Sequence, residues 1–115
     1  HSMSHAAGAN QDLRLHHGTL NGVILPSILR FNMNHVGDKY SRISRAMGKD
    51  ESTDLANEIE KLNEKIGLPS GLAEMGITED MIPGLVEHSM TDPSNMTTPR
   101  LPSQEEWEKL FLEAM

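Results

Sequence analysis

The chain has 115 residues, enough for one domain, and its 17 acidic side chains against 10 basic ones leave a formal charge of −7. That balance repels phosphate backbones and offers no basic stripe, so nucleic acid is not an expected partner. The lack of cysteine excludes disulfides and thiolate metal sites and suits a cytoplasmic setting, and no apolar run is long enough to cross a bilayer.

Aromatic residues make up only 3% of the chain while there are 8 Met, a core vocabulary better suited to helix-on-helix packing than to a pleated sheet. No stretch shows sustained alternate apolar spacing, and the fold class expected is all-α, a multi-helical bundle spanning residues 1–115. Residues 1–9 are expected to be the last turns of a helix that begins before His1, ending near Gly8-Ala9-Asn10. Residues 18–31 are apolar at Leu20, Val23, Ile24, Leu25, Ile28, Leu29 and Phe31, which predicts a buried central helix kinked at Pro26. Residues 38–47 form a short amphipathic helix through Tyr40, Ile43 and Met47, closed by Gly48.

The clearest helical pattern covers residues 52–66. Leu55, Ile59, Leu62 and Ile66 repeat at helical spacing, acidic residues crowd the start, and Gly67 and Pro69 stop it. Residues 71–75 predict a single turn. Residues 78–90 predict a helix through Met81, Ile82, Leu85 and Val86, with Pro83 near its start. Residues 92–102 hold prolines and small polar residues and read as a loop. The last helix opens on Ser103-x-x-Glu106, a capping box, and buries Trp107, Leu110, Phe111 and Ala114.

Among the histidines, His1 and His5 stand one helical turn apart, and a fold-back of the chain would bring His17 to the same place. Neutral imidazole is a common nitrogen donor to transition metals, so this trio is the candidate metal group. His17 sits at the entry of the central helix, where a buried polar ring would need a partner or a metal. Gly8 and Gly18 border the intervening loop and are expected to permit its tight turns. His35 and His88 read as surface histidines, and His16 as a surface group or one that supports the trio from outside. With no start methionine before His1, the chain is expected to be a fragment.

The pattern His1-x-x-x-His5-x-x-Gly8, then His17-Gly18-x-x-Asn21-Gly22-x-x-Leu25-Pro26-x-x-Leu29-x-Phe31-Asn32, resembles the iron-containing alcohol dehydrogenase family. Asp92-Pro93-Ser94-Asn95 and Thr98-Pro99-Arg100 extend the resemblance toward the last helix, so that it covers essentially the whole chain. It implies the helical C-terminal domain of an enzyme that moves hydride between a small alcohol or aldehyde and a nicotinamide cofactor, NAD or NADP. By the same resemblance His1 and His17 match ligands of a divalent metal, iron or zinc, and His5 matches a histidine that relays a proton or touches substrate.

The resemblance also implies what this chain does not supply: a nucleotide-binding domain, and an earlier helix carrying an Asp and a His that complete the metal shell. Two imidazoles do not close a tetrahedral site, so the piece alone is expected to be inactive. An uncovered apolar side of the Pro26 helix would drive self-association, and a homo-oligomer is expected. The alternative is a free-standing helical module that binds or self-associates without chemistry.

Overall fold

A computed structural model describes residues 1–115, and every regular element in it is helical. Six α-helices follow one another: α1 (Ser2–Gly8), α2 (His17–Asn32), α3 (Lys39–Ala46), α4 (Leu55–Lys65), α5 (Ile82–Thr91) and α6 (Gln104–Glu113). Short 3-10 turns at Met33–His35, Glu79–Met81 and Pro93–Thr97 join them. The 92–102 segment, read as loop, therefore carries a turn of its own, started by Asp92 and Pro93.

The ends of the helices follow from their local chemistry. Asp54 caps α4 by accepting from the Asn57 amide, so the helix starts at Leu55 and not at residue 52. The Ser103–Glu106 capping box is formed as its sequence implies. Gly48 and Gly67 take positive φ, 72° and 75°, directly after α3 and α4. Past each, an amide reaches five residues back, Lys49 to Ser44 and Leu68 to Asn63, closing the last carbonyls.

Helix α2 is central: α1, α4 and α6 all pack on it. Leu20, Val23, Ile24 and Leu29 are buried, and of its apolar residues only Leu25 is largely exposed. The open apolar side expected for this helix is thus mostly closed by its neighbours. Pro26 lies within the helix and has no N–H to give the Gly22 carbonyl four residues back. The Asn63 amide of α4 supplies that bond at 2.7 Å.

The main core joins Met3, Ala6 and Ala7 of α1 to Leu20 and Ile24 of α2, to α5, and to Trp107, Leu110 and Phe111 of α6. Leu72 and Ile77, from the connection between α4 and α5, are also enclosed, and Val36 after α2 is buried apart from this core. The Leu72 amide bonds the Ala114 carbonyl at 2.8 Å, fixing this connection to the end of α6. A smaller cluster of Leu29, Leu55 and Ala56 seals α2 against α4. The apolar stripe of α4 does not stay buried along its length: Leu62 and Ile66 are exposed.

Candidate metal centre

Helix α1 is built to lie deep. Ser2, Ser4, Ala6 and Ala7 are small enough to let it press between α2 and α5, and all four are buried. Its remaining face carries His5, one turn from His1, which stands at the N-terminal edge of the helix. The chain then reverses through residues 9–16. Asn10 makes the turn by accepting from the Asp12 and Leu13 amides, and Arg14 takes positive φ, 48°. Gly8 and Gly18, expected to make this turn, are helical residues without positive φ.

The reversal brings His17, the first residue of α2, beside the α1 pair. Ring centroids are 4.7 Å apart for His1 and His5, 4.9 Å for His1 and His17, and 5.3 Å for His5 and His17. One nitrogen of each lies within 4.8 Å of those of the other two. All three residues are exposed, so burial is not what selects histidine at position 17.

Each ring has its own polar neighbours. His5 Nδ1 stands 2.8 Å from Asp92 Oδ2, and because an ionised carboxylate only accepts, Nδ1 is the donor, so that in the neutral ring the lone pair lies on Nε2. The Asn21 side-chain amide stands 2.9 Å from His17 Nε2, and Ser4 Oγ stands 3.5 Å from its Nδ1. Ser4 itself donates to the His1 carbonyl at 2.7 Å. The Asp92 carboxyl is held down at about 2, chiefly by the Ser94 hydroxyl and amide and then by His5, against the opposing pull of burial.

The donor set fits a divalent first-row ion. Imidazole suits iron and zinc, and metal–nitrogen bonds of about 2.0–2.1 Å put two ligands of one ion no more than about 4.2 Å apart. Small side-chain rotations of exposed rings cover the difference from the observed spacing. His16 stays out of this group: its Nδ1 caps α2 by accepting from the Thr19 amide at 3.3 Å. His35 and His88 are exposed and lie outside the group.

Three participants were not visible in the sequence motif as partners: Asp92, Asn21 and Ser4. Asn21 stands one turn after His17, a spacing that could have flagged it. Asp92 is 87 residues from His5, and its Asp-Pro-Ser setting reads locally as the start of a turn, which it also is.

Residues 1–115 match the family described as Fe-containing alcohol dehydrogenase family, C-terminal. The chain is 36% identical to a 4-hydroxybutyrate dehydrogenase of Cupriavidus necator, over 100% of its own length and 32% of the relative's. It is 30% identical to a lactaldehyde reductase of Escherichia coli (strain K12), covering 96% of the chain and 31% of that protein. A crystal structure of a 1,3-propanediol oxidoreductase superposes with a TM-score of 0.91 at 27% identity, over 100% of this chain and 32% of that one. An iron-containing alcohol dehydrogenase from Thermococcus thioreducens superposes at 0.83 with 31% identity, over 99% and 30%. The chain spans about a third of the length of these relatives. It belongs to the Fe-containing alcohol dehydrogenase family, as a match to the family's C-terminal part.

Proposed function

We propose that this chain is the metal-holding helical part of an oxidoreductase that moves hydride between a small alcohol or aldehyde and NAD or NADP. The convergence of His1, His5 and His17 from two helices carries the reading. His1 and His17 are the ligands this chain gives to a divalent ion, iron or zinc. When bound, such an ion supplies Lewis-acid polarisation of the substrate oxygen. His5 is the catalytic residue: with Nδ1 donating to Asp92, Nε2 of the neutral ring is the nitrogen left to take a hydroxyl proton. No residue here is assigned to the dinucleotide. The names of the similar proteins, which include an NAD-dependent methanol dehydrogenase and an NADPH-dependent butanol dehydrogenase, support this class of reaction and either cofactor.

Two imidazole ligands leave a four-ligand shell open, so the 115 residues taken alone hold metal weakly and do not turn over alcohol. No helix is long and apolar enough to cross a membrane, and we place the enzyme in the cytoplasm as a homo-oligomer. Two substitutions in the full-length protein test the roles, with n-butanol as the substrate. His17→Ala is expected to lose bound metal and activity together. His5→Ala is expected to keep the metal while turnover falls by about 10²–10⁴-fold. Equal loss of metal from both variants would make His5 a ligand and overturn the assignment.

A further inference from the structure

The Asp92 carboxylate divides its two oxygens between two tasks. Oδ1 accepts from the Ser94 amide at 2.8 Å and from the Ser94 hydroxyl, which starts the 3-10 turn Pro93–Thr97. Oδ2 is spent entirely on His5 Nδ1, at 2.8 Å. The two partners differ in freedom: the Asp92 side chain is 7% exposed, that of His5 41%. The turn beneath Asp92 is tied to the end of α5 by the Asn95 amide, which donates to the Ser89 carbonyl at 2.7 Å. A fixed carboxylate thus holds a ring that would otherwise rotate in solvent.

We propose that Asp92 is the positioning residue for His5, holding its proton on Nδ1 and its ring still so that Nε2 is the base presented beside His1 and His17. The proposal rests on the reading of His5 as the proton-handling group. A carboxylate sets which ring nitrogen is protonated because it can only accept, so the nitrogen facing it must carry the proton. The free electron pair then lies on the opposite nitrogen. Turn capping alone would explain the bonds to Ser94 and would not require the bond to His5.

Two substitutions separate these roles, because each keeps an oxygen for the Ser94 amide. Asp92→Ser preserves the cap and withdraws from His5. Asp92→Asn preserves the cap and turns an NH₂ toward His5 Nδ1, which must then accept, so the proton moves to Nε2. In the zinc-loaded full-length protein, kcat for n-butanol is expected to fall about 10-fold in Asp92→Ser and at least about 100-fold in Asp92→Asn. Metal content is expected to be unchanged and KM to move less than about threefold. Nitrogen NMR of labelled histidine should show the His5 proton on Nδ1 in the parent and on Nε2 in Asp92→Asn. If kcat and the tautomer match the parent in both variants, or in Asp92→Ser where Asp92→Asn does not fold, the proposal is overturned and Asp92 is a turn cap only. His5→Ala tells the two readings apart. Loss of turnover there with full turnover in Asp92→Asn overturns the positioning role alone, whereas full turnover in His5→Ala overturns the proton role and the proposal with it.

Discussion

His16 and His17 are adjacent and differ in what they hold. His16 accepts from the Thr19 amide and starts α2, whereas His17 joins the imidazole group. Replacing His16 by Ala is expected to cost about 0.5–1 kcal/mol of stability in urea denaturation while the full-length protein keeps its metal. A drop in metal content equal to that of His17→Ala would show that position 16 also supplies a ligand. Away from the site, Glu58 is set between Lys49 at 2.7 Å and Lys61 at 2.8 Å, and its carboxyl is held down to about 2 by hydrogen bonds to these two lysines. A carboxyl with a lowered folded-state value stabilises the fold above its ordinary value near 4.5. That stabilisation is lost as pH falls from about 4.5 toward about 2. Glu58→Gln is therefore expected to flatten the acid limb of the stability curve over that window and to leave the limb above pH 6 with its shape unchanged.

At the scale of elements, the bond between Asn63 and the Gly22 carbonyl explains how a proline sits inside the central helix. Asn63→Ala leaves a carbonyl without its partner and is expected to cost about 1–3 kcal/mol. In a Pro26→Ala background the helix gains an amide at position 26 to serve the same carbonyl, so the cost of Asn63→Ala should shrink. Urea denaturation of the four proteins measures this coupling, and strictly additive losses would show that the two residues act separately. Two glycines give an opposite pair of outcomes. A Cβ on Gly71 would lie 2.0 Å from the Met115 carbonyl oxygen, so Gly71→Ala must push α6 and its following residues away from the Leu72 connection. A Cβ on Gly84 meets nothing within 4 Å, and Gly84→Ala in α5 is expected to stabilise by about 0.5–1 kcal/mol.

At the scale of the molecule, the proposed ligands His1 and His17 stand at the starts of α1 and α2, which a chain reversal joins, so metal binding is expected to couple to folding. Adding zinc to the metal-free full-length protein is expected to raise its unfolding midpoint, and the rise should vanish in His17→Ala. An equal rise in both would place the bound zinc elsewhere. Association belongs to this scale too. The central helix exposes little apolar surface, but Ile43 and Met47 around α3 and Leu62 and Ile66 around α4 are exposed. We expect these residues to lie in subunit contacts of the proposed homo-oligomer. Light scattering of Leu62→Glu and Ile66→Glu full-length proteins checks this, with a smaller assembly expected and an unchanged mass counting against it.

The sequence by itself determined the helices and their stops, because a 3.6-residue apolar period, a capping box and a glycine after the last turn act over a few residues. It also marked His1, His5 and His17, through a spacing carried by one helix and the start of the next. Only the tertiary structure decided which apolar residues are covered. Leu72 and Ile77 are enclosed although they lie in a connection, and Leu62 and Ile66 are exposed although their spacing is the most regular in the chain. Burial depends on which neighbour arrives, and a local pattern does not specify that. The pairings of Asn63 with Gly22 and of Asp92 with His5 are of the same kind. They join residues 41 and 87 positions apart, where chain length erases any local signal and only packing brings a donor to its acceptor.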